Sequence, residues 1–149
     1  MNEPPWMTRA FEELRAGVSE IAGAGDHARI VEYHAVTTGG ASPDEVPWCS
    51  SGLCWCMERA GFRSPRSKRA RDWLHWGKVL SHPLYGCVCI LKRGSGSQPG
   101  PEVTMAPGHV TLWVGAASSF EFLGLGGNQG NRWSIQLFPT AAVLGYRAP

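Results

Sequence analysis

Asp44 to Cys56 reads DEVPWCSSGLCWC and sets three of the chain's five cysteines within eight residues, directly after a proline and a tryptophan. After Pro47 the run CSSGLCWCMERAG has no further proline and many helix formers. It predicts a helix opening at about Cys49, with Leu53, Cys56, Met57 and Ala60 on one face and Gly61 as its stop. Position on that helix separates the thiols. Cys49 falls in the first turn, where unpaired backbone N–H groups and the positive end of the helix dipole favour a thiolate. Cys54 and Cys56 lie a turn or more inside and, two residues apart, point about 200° from one another, so they cannot grip one ion together. A zinc site would have to recruit Cys87 and Cys89, which share one face of a predicted strand. The chain has no C-x-x-C pair, and neither a metal site nor a cofactor is predicted.

Composition bounds the rest. A chain of 149 residues suits one domain with a core of its own, and 43% apolar against 17% charged residues reads as globular, not disordered. Five cysteines leave one over from any full disulfide framework, and MNEPPWMTRA lacks the basic-then-apolar pattern of a signal peptide. Synthesis in the reducing cytoplasm is therefore expected. No stretch approaches the roughly 20 apolar residues of a membrane span. A net charge of +2 is too small to argue for a polyanionic partner by itself, so nucleic acid is not expected.

Toward the N-terminus, Met7, Phe11, Leu14, Val18 and Ile21 recur at helical spacing behind Pro4-Pro5, predicting a helix that Gly23 and Gly25 stop. A second helix is predicted over DHARIVEYHAV, with Asp26 as its N-cap and Ile30, Val31 and His34 on one side. Toward the C-terminus, the basic segment Arg63 to Lys78 surrounds DWLHWG and reads as a short helix and turn with a solvated face. Beyond His82-Pro83 the pattern turns to β in YGCVCILKR, HVTLWVG, FEFLGLGG, RWSIQLFP and VLGYR, separated by turn signals and one long Gly/Ser/Pro loop. Helices first and an antiparallel meander second make an α+β domain over 1–149.

A nucleophilic cysteine needs a base. Among five histidines, His109 opens a predicted strand directly after Ala106-Pro107-Gly108, where its side chain can project from a sheet edge. The others belong to helices, to the Trp-rich turn or to a pre-proline position. A third polar group normally holds the imidazole in its productive tautomer. Gly126-Gly127-Asn128-Gln129-Gly130-Asn131 offers three amides where a neighbouring strand meets His109, Asn128 first. The same hexapeptide also makes a good hairpin turn, because glycine and asparagine tolerate positive φ.

Three ordered motifs, DEVPWCSSGLCWCMERAG, PGHVTLWVG and LGGNQGNRWSIQLFP, resemble the small papain-like cysteine amidases and peptidases of the CHAP and NlpC type, cell-wall hydrolases of bacteria and their phages. The resemblance runs from PPWM to LGYRAP. It implies a papain-like fold with N-terminal helices on an antiparallel sheet, Cys49 as nucleophile, His109 as base and Asn128 as the third polar residue, with Gln129 one position away as the alternative. The acidic residue that relatives often carry two positions before that asparagine is replaced here by Gly126. Gly52 stands where a bulkier residue is usual, and Cys87 where an acidic one is common. The implied substrate is bacterial peptidoglycan, cut within the stem peptide or between stem peptide and sugar. Trp48, Trp76 and Trp113 are expected along the groove with Ser50 and Gln129, and Asp44 or Glu45 opposite a cationic diamino acid. Without a secretion signal, the route to periplasm or wall would be lysis through a phage pore or injection by secretion machinery, the latter implying an immunity protein. The competing expectation is a binding module in which the basic, Trp-rich segment grips nucleic acid or a wall polymer.

Overall fold

A computed structural model describes residues 2–149, and helices precede strands along it. Helices α1 (Pro5–Ala16), α2 (Ala28–Ala35) and α3 (Cys49–Arg59) lead to a 3-10 turn (Ala70–His75). Six strands complete the chain: β1 (Lys78–Leu80), β2 (Val88–Lys92), β3 (Gly108–Ala116), β4 (Glu121–Gly126), β5 (Ser134–Pro139) and β6 (Val143–Ala148). They form one antiparallel sheet in the order β1-β6-β2-β3-β4-β5, so the fold is α+β. The meander holds from β2 to β5. Contrary to expectation, β6 returns across it to pair with β2, and a short β1, which starts at the last residue of the basic segment, pairs with β6.

Helix ends follow local chemistry. α1 stops well before Ile21 because Gly17 takes φ 68 and turns its N–H back to the carbonyls of Glu13 and Leu14. Val18 still buries, but in a link whose carbonyl accepts from Trp133 N–H at 3.0 Å, while Ile21 is exposed. α2 is capped by His27, whose Nδ1 accepts from Arg29 N–H at 3.1 Å. Asp26, the expected cap, accepts the Asp44 N–H instead, at 2.9 Å.

α3 is the central element. Every residue from Cys49 to Met57 is buried, because α1 and α2 pack on one side and the sheet on the other. On the sheet, Val88, Ile90, Val110 and Leu112 face the helices, while Cys87, Cys89, Leu91 and Phe122 form a second apolar cluster on the opposite face. Gly52 sits close under a buried ring: a Cβ there would lie 3.1 Å from the Trp133 indole and press on it. All five cysteines are free and buried, and Cys54, Cys56, Cys87 and Cys89 fill core space.

The basic segment departs from a solvated face. Arg71 is fully buried and donates to the carbonyls of Pro99, Gly100, Val103 and Pro107, tying the long loop before β3 to the 3-10 turn. Arg66 pairs with Glu58 at 3.0 Å, and Lys68 donates to Thr37 and to the Gly40 carbonyl. Among the described residues no helix is long and apolar enough to cross a membrane.

Candidate active site

Strand register sets the base. Leu91 pairs with His109 and Lys92 with Gly108, so His109 lies one pair from the end of the β2–β3 ladder, beside Cys49 at the start of α3. There α3 has no side-chain cap, since Trp48 offers no acceptor, and its first-turn N–H groups remain available to an anion. The approach to Cys49 is braced on several sides. Trp48 Nε1 donates to Glu20 at 3.0 Å, Ser50 Oγ donates to the Ser67 carbonyl at 2.5 Å and accepts from Trp73 Nε1 at 2.8 Å. Beneath them, His34 Nε2 meets the Val46 carbonyl at 3.3 Å and must donate, so Nδ1 accepts from Ser51 Oγ at 2.8 Å.

Cys49 and His109 face one another and shift each other's titration. Burial pushes the Cys49 thiol up, but the positive charge and hydrogen bonding of His109, with the Val110 N–H and the charge of Arg93, outweigh it and hold the thiol below its ordinary value. Burial likewise pushes His109 down, and the Cys49 charge, its hydrogen bonding and Gln129 together carry the imidazole above its ordinary value. The two shifts favour a thiolate–imidazolium pair.

Gln129 fixes the ring. Its Nε2 donates to the carbonyls of Gly124 (3.1 Å) and Ser134 (2.7 Å), so its Oε1 is the acceptor. Oε1 takes the Thr111 hydroxyl at 2.7 Å and His109 Nε2 at 3.0 Å. His109 Nε2 therefore carries hydrogen, and Nδ1 is the nitrogen left for the thiol. Phe138 stacks on the imidazole, centroids 5.3 Å apart at 25°.

The polar partner of His109 is thus Gln129 and not Asn128. Asn128 takes φ 55 and builds the turn, as does Asn131 at φ 59. The buried amide of Gln129 folds back under the strand, in space that glycines leave clear. A Cβ on Gly126 would lie 2.5 Å from Gln129 Oε1 and 2.9 Å from Thr111 Oγ1, and one on Gly124 would lie 2.7 Å from Thr111 Oγ1. The space that a side chain at position 126 would take is occupied by the glutamine's own amide.

The other expected contacts lie elsewhere. Trp48, Ser50 and Asp44 are buried with internal partners, so none lines a groove. Asp44 Oδ2 accepts the N–H groups of Ile21 and His27, both at 2.9 Å, which hold its carboxyl below the usual range and clasp the α1–α2 link to the loop before α3. Glu45 is exposed beside Asp26 and Asp44, outside the cavities next to His109. Trp76 packs on Trp73 and donates to the Arg63 carbonyl at 2.7 Å. Trp113 shares the sheet face of His109 and Thr111 but lies four residues further along β3, half-buried against Cys87, Cys89 and Phe122.

Two cavities flank the pair. One, of about 380 Å³, is lined by His109, Asn128, Gln129, Gln136 and Phe138. The other, of about 580 Å³, is lined by Pro47, Ala70, Gln98, Met105 and Gly108. They meet at Arg93 and Gly94, which line both. Cys49 is 3% exposed and lines neither, although Pro47 and Gly108 border one cavity and His109 the other. Sequence reasoning passed over Thr111 and Arg93. Thr111 carries a readable signal, since it lies two residues beyond His109 on the same strand face. Compared with known proteins, the chain matches no family model, no curated protein and no solved structure.

Proposed function

We propose that the chain is a papain-like cysteine hydrolase of the CHAP/NlpC type, cleaving an amide bond of bacterial peptidoglycan within the stem peptide or between N-acetylmuramate and L-alanine. The observation that supports this most strongly is the line from Cys49, at the uncapped start of α3, through His109 to Gln129. In this mechanism Cys49 Sγ attacks the carbonyl carbon, and the first-turn N–H groups of α3 receive the oxyanion, at about 3 kcal/mol per donor. The imidazolium returns its proton from Nδ1 to the departing amine, leaving a thioester. Water, deprotonated by the same nitrogen, then attacks the thioester carbonyl, releases the acid and restores the thiolate–imidazolium pair. Gln129 keeps Nε2 protonated throughout, so Nδ1 alone exchanges protons. Because Cys49 is buried, a substrate reaches it only when the residues over it move.

The wall substrate comes from the motif resemblance, as does the setting: synthesis in the cytoplasm, then action in the periplasm or on the wall after phage lysis or injection, with an immunity protein as partner in the second case. The rival reading, a basic binding module, finds little support, because Arg71 is buried and Arg66, Lys68 and Arg69 have internal partners.

The test is digestion of purified peptidoglycan by the wild type and by Cys49→Ala, with mass spectrometry of the fragments. New termini within the stem would assign an endopeptidase, and separation at the sugar–alanine bond an amidase. No release by the folded wild type would sink both.

A further inference from the structure

Arg93 follows β2 immediately beyond the Lys92–Gly108 pair, and so stands beside His109 at the open end of the sheet. It is exposed, and among the described residues it has neither a carboxylate partner nor a hydrogen bond to the protein. An uncommitted guanidinium is not needed for folding here. It lies at the one place where both cavities meet.

The linings of these cavities sharpen the point. Together they contain Lys68, Arg69, Lys92 and Arg93 and no aspartate or glutamate. Lys68 is spent on Thr37 and Gly40, Arg69 lies 3.8 Å from Asp72, and Lys92 lines only the first cavity, which leaves Arg93 as the cation that borders both and is free for a ligand. Its charge also reaches both reacting groups, depressing the Cys49 thiol and opposing protonation of His109. A cation so placed attracts an anion toward the reacting pair, and a guanidinium matches a carboxylate with two parallel hydrogen bonds.

We propose that Arg93 is a specificity-determining residue that selects substrates bearing a free carboxylate beside the amide to be cut. This rests on the hydrolase reading above and deepens it. It also reverses the sign expected from Asp44 and Glu45: the site receives an acidic chain, not a cationic side chain.

Two measurements separate the proposal from the reading beneath it. The first alkylates Cys49 with iodoacetate and with iodoacetamide, which differ in one negative charge, and follows the Cys49 peptide by mass spectrometry. Arg93→Gln should lower the iodoacetate-to-iodoacetamide rate ratio at least about threefold, the size of a screened Coulomb interaction with an exposed cation, and Arg93→Lys should largely preserve it. Arg59→Gln, which removes the same net charge far from the site, should leave the ratio as in the wild type. An unchanged ratio in Arg93→Gln overturns the proposal, whether or not the protein digests the wall. The second compares stem-peptide substrates that differ only in a free or amidated carboxylate beside the scissile bond. The wild type should favour the free acid by about tenfold in kcat/KM, and in Arg93→Gln that preference should collapse toward one. Equal losses on both peptides would contradict carboxylate selection. If the wild type cuts neither peptide nor wall while the alkylation ratio falls as expected, the peptidoglycan reading is lost and anion selection at Cys49 is retained.

Discussion

Cys49 and Cys56 lie about two turns apart on α3, both are buried, and their thiols are driven in opposite directions. Burial pushes Cys56 well above its ordinary value, and the negative charges of Glu13 and Glu12 push it further. Cys49 feels the same burial, yet ends below its ordinary value because it sits beside His109. Burial alone therefore does not decide whether a cysteine is inert or reactive. What differs is the sign of the nearest charge and the end of the helix on which the sulfur lies.

The largest effect expected from this contrast is on turnover. Cys49→Ala should lower wall digestion by about 10³-fold or more, whereas Cys56→Ala should change it only slightly and cost about 1–2 kcal/mol of stability in denaturant unfolding. A folded Cys56→Ala as inactive as Cys49→Ala would break the comparison.

A second contrast sits in the turn, between adjacent amides. Gln129→Ala should lower kcat by about 10²-fold, because His109 loses the acceptor that fixes its tautomer, whereas Asn128→Gly should be far milder, since glycine accepts φ 55. Equal losses in steady-state kinetics would return the third role to Asn128. Gly126→Ala probes the same design from below: its Cβ would collide with Gln129 Oε1, and a destabilisation of about 1–3 kcal/mol is expected in thermal or denaturant melts. A neutral result would mean the amide is not held where it is described.

The smallest effect concerns His34, under the approach to Cys49. Burial holds it below the ordinary histidine value, against the hydrogen bond to Val46 and with help from Lys68. Its neutral form belongs to the folded state, so its contribution is complete above about pH 6.5 and is lost as pH falls through the depressed folded value. His34→Gln should flatten the acid limb of a plot of Tm against pH. An acid limb unchanged by the substitution would remove His34 from the account.

Much of this was legible in the sequence for physical reasons. Pro47 followed by helix formers marks the start of α3, and Pro107-Gly108 before alternating apolar residues marks β3, so Cys49 and His109 emerge at the ends of their elements. The choice between Asn128 and Gln129 was not legible. It depends on a positive φ at Asn128 and on which side chain folds beneath the sheet, and both are set by Gly124, Gly126 and the Trp133 link to Val18. Trp48 failed as a groove contact for a related reason: it reads as a ligand contact by residue type, but the core packed around α3 buries it completely, while Trp113 is half-buried against the second apolar cluster. Arg71 escaped because composition counts a guanidinium as a surface charge, whereas here four backbone carbonyls receive it.

The central claim is that His109 activates Cys49, and the pH dependence of Cys49 alkylation by neutral iodoacetamide tests it most directly. In the wild type the rate should rise with a midpoint below the ordinary thiol value of about 8.5, and His109→Ala should return it to that value or above. A wild-type midpoint at or above the ordinary value, unmoved by His109→Ala, would contradict the account.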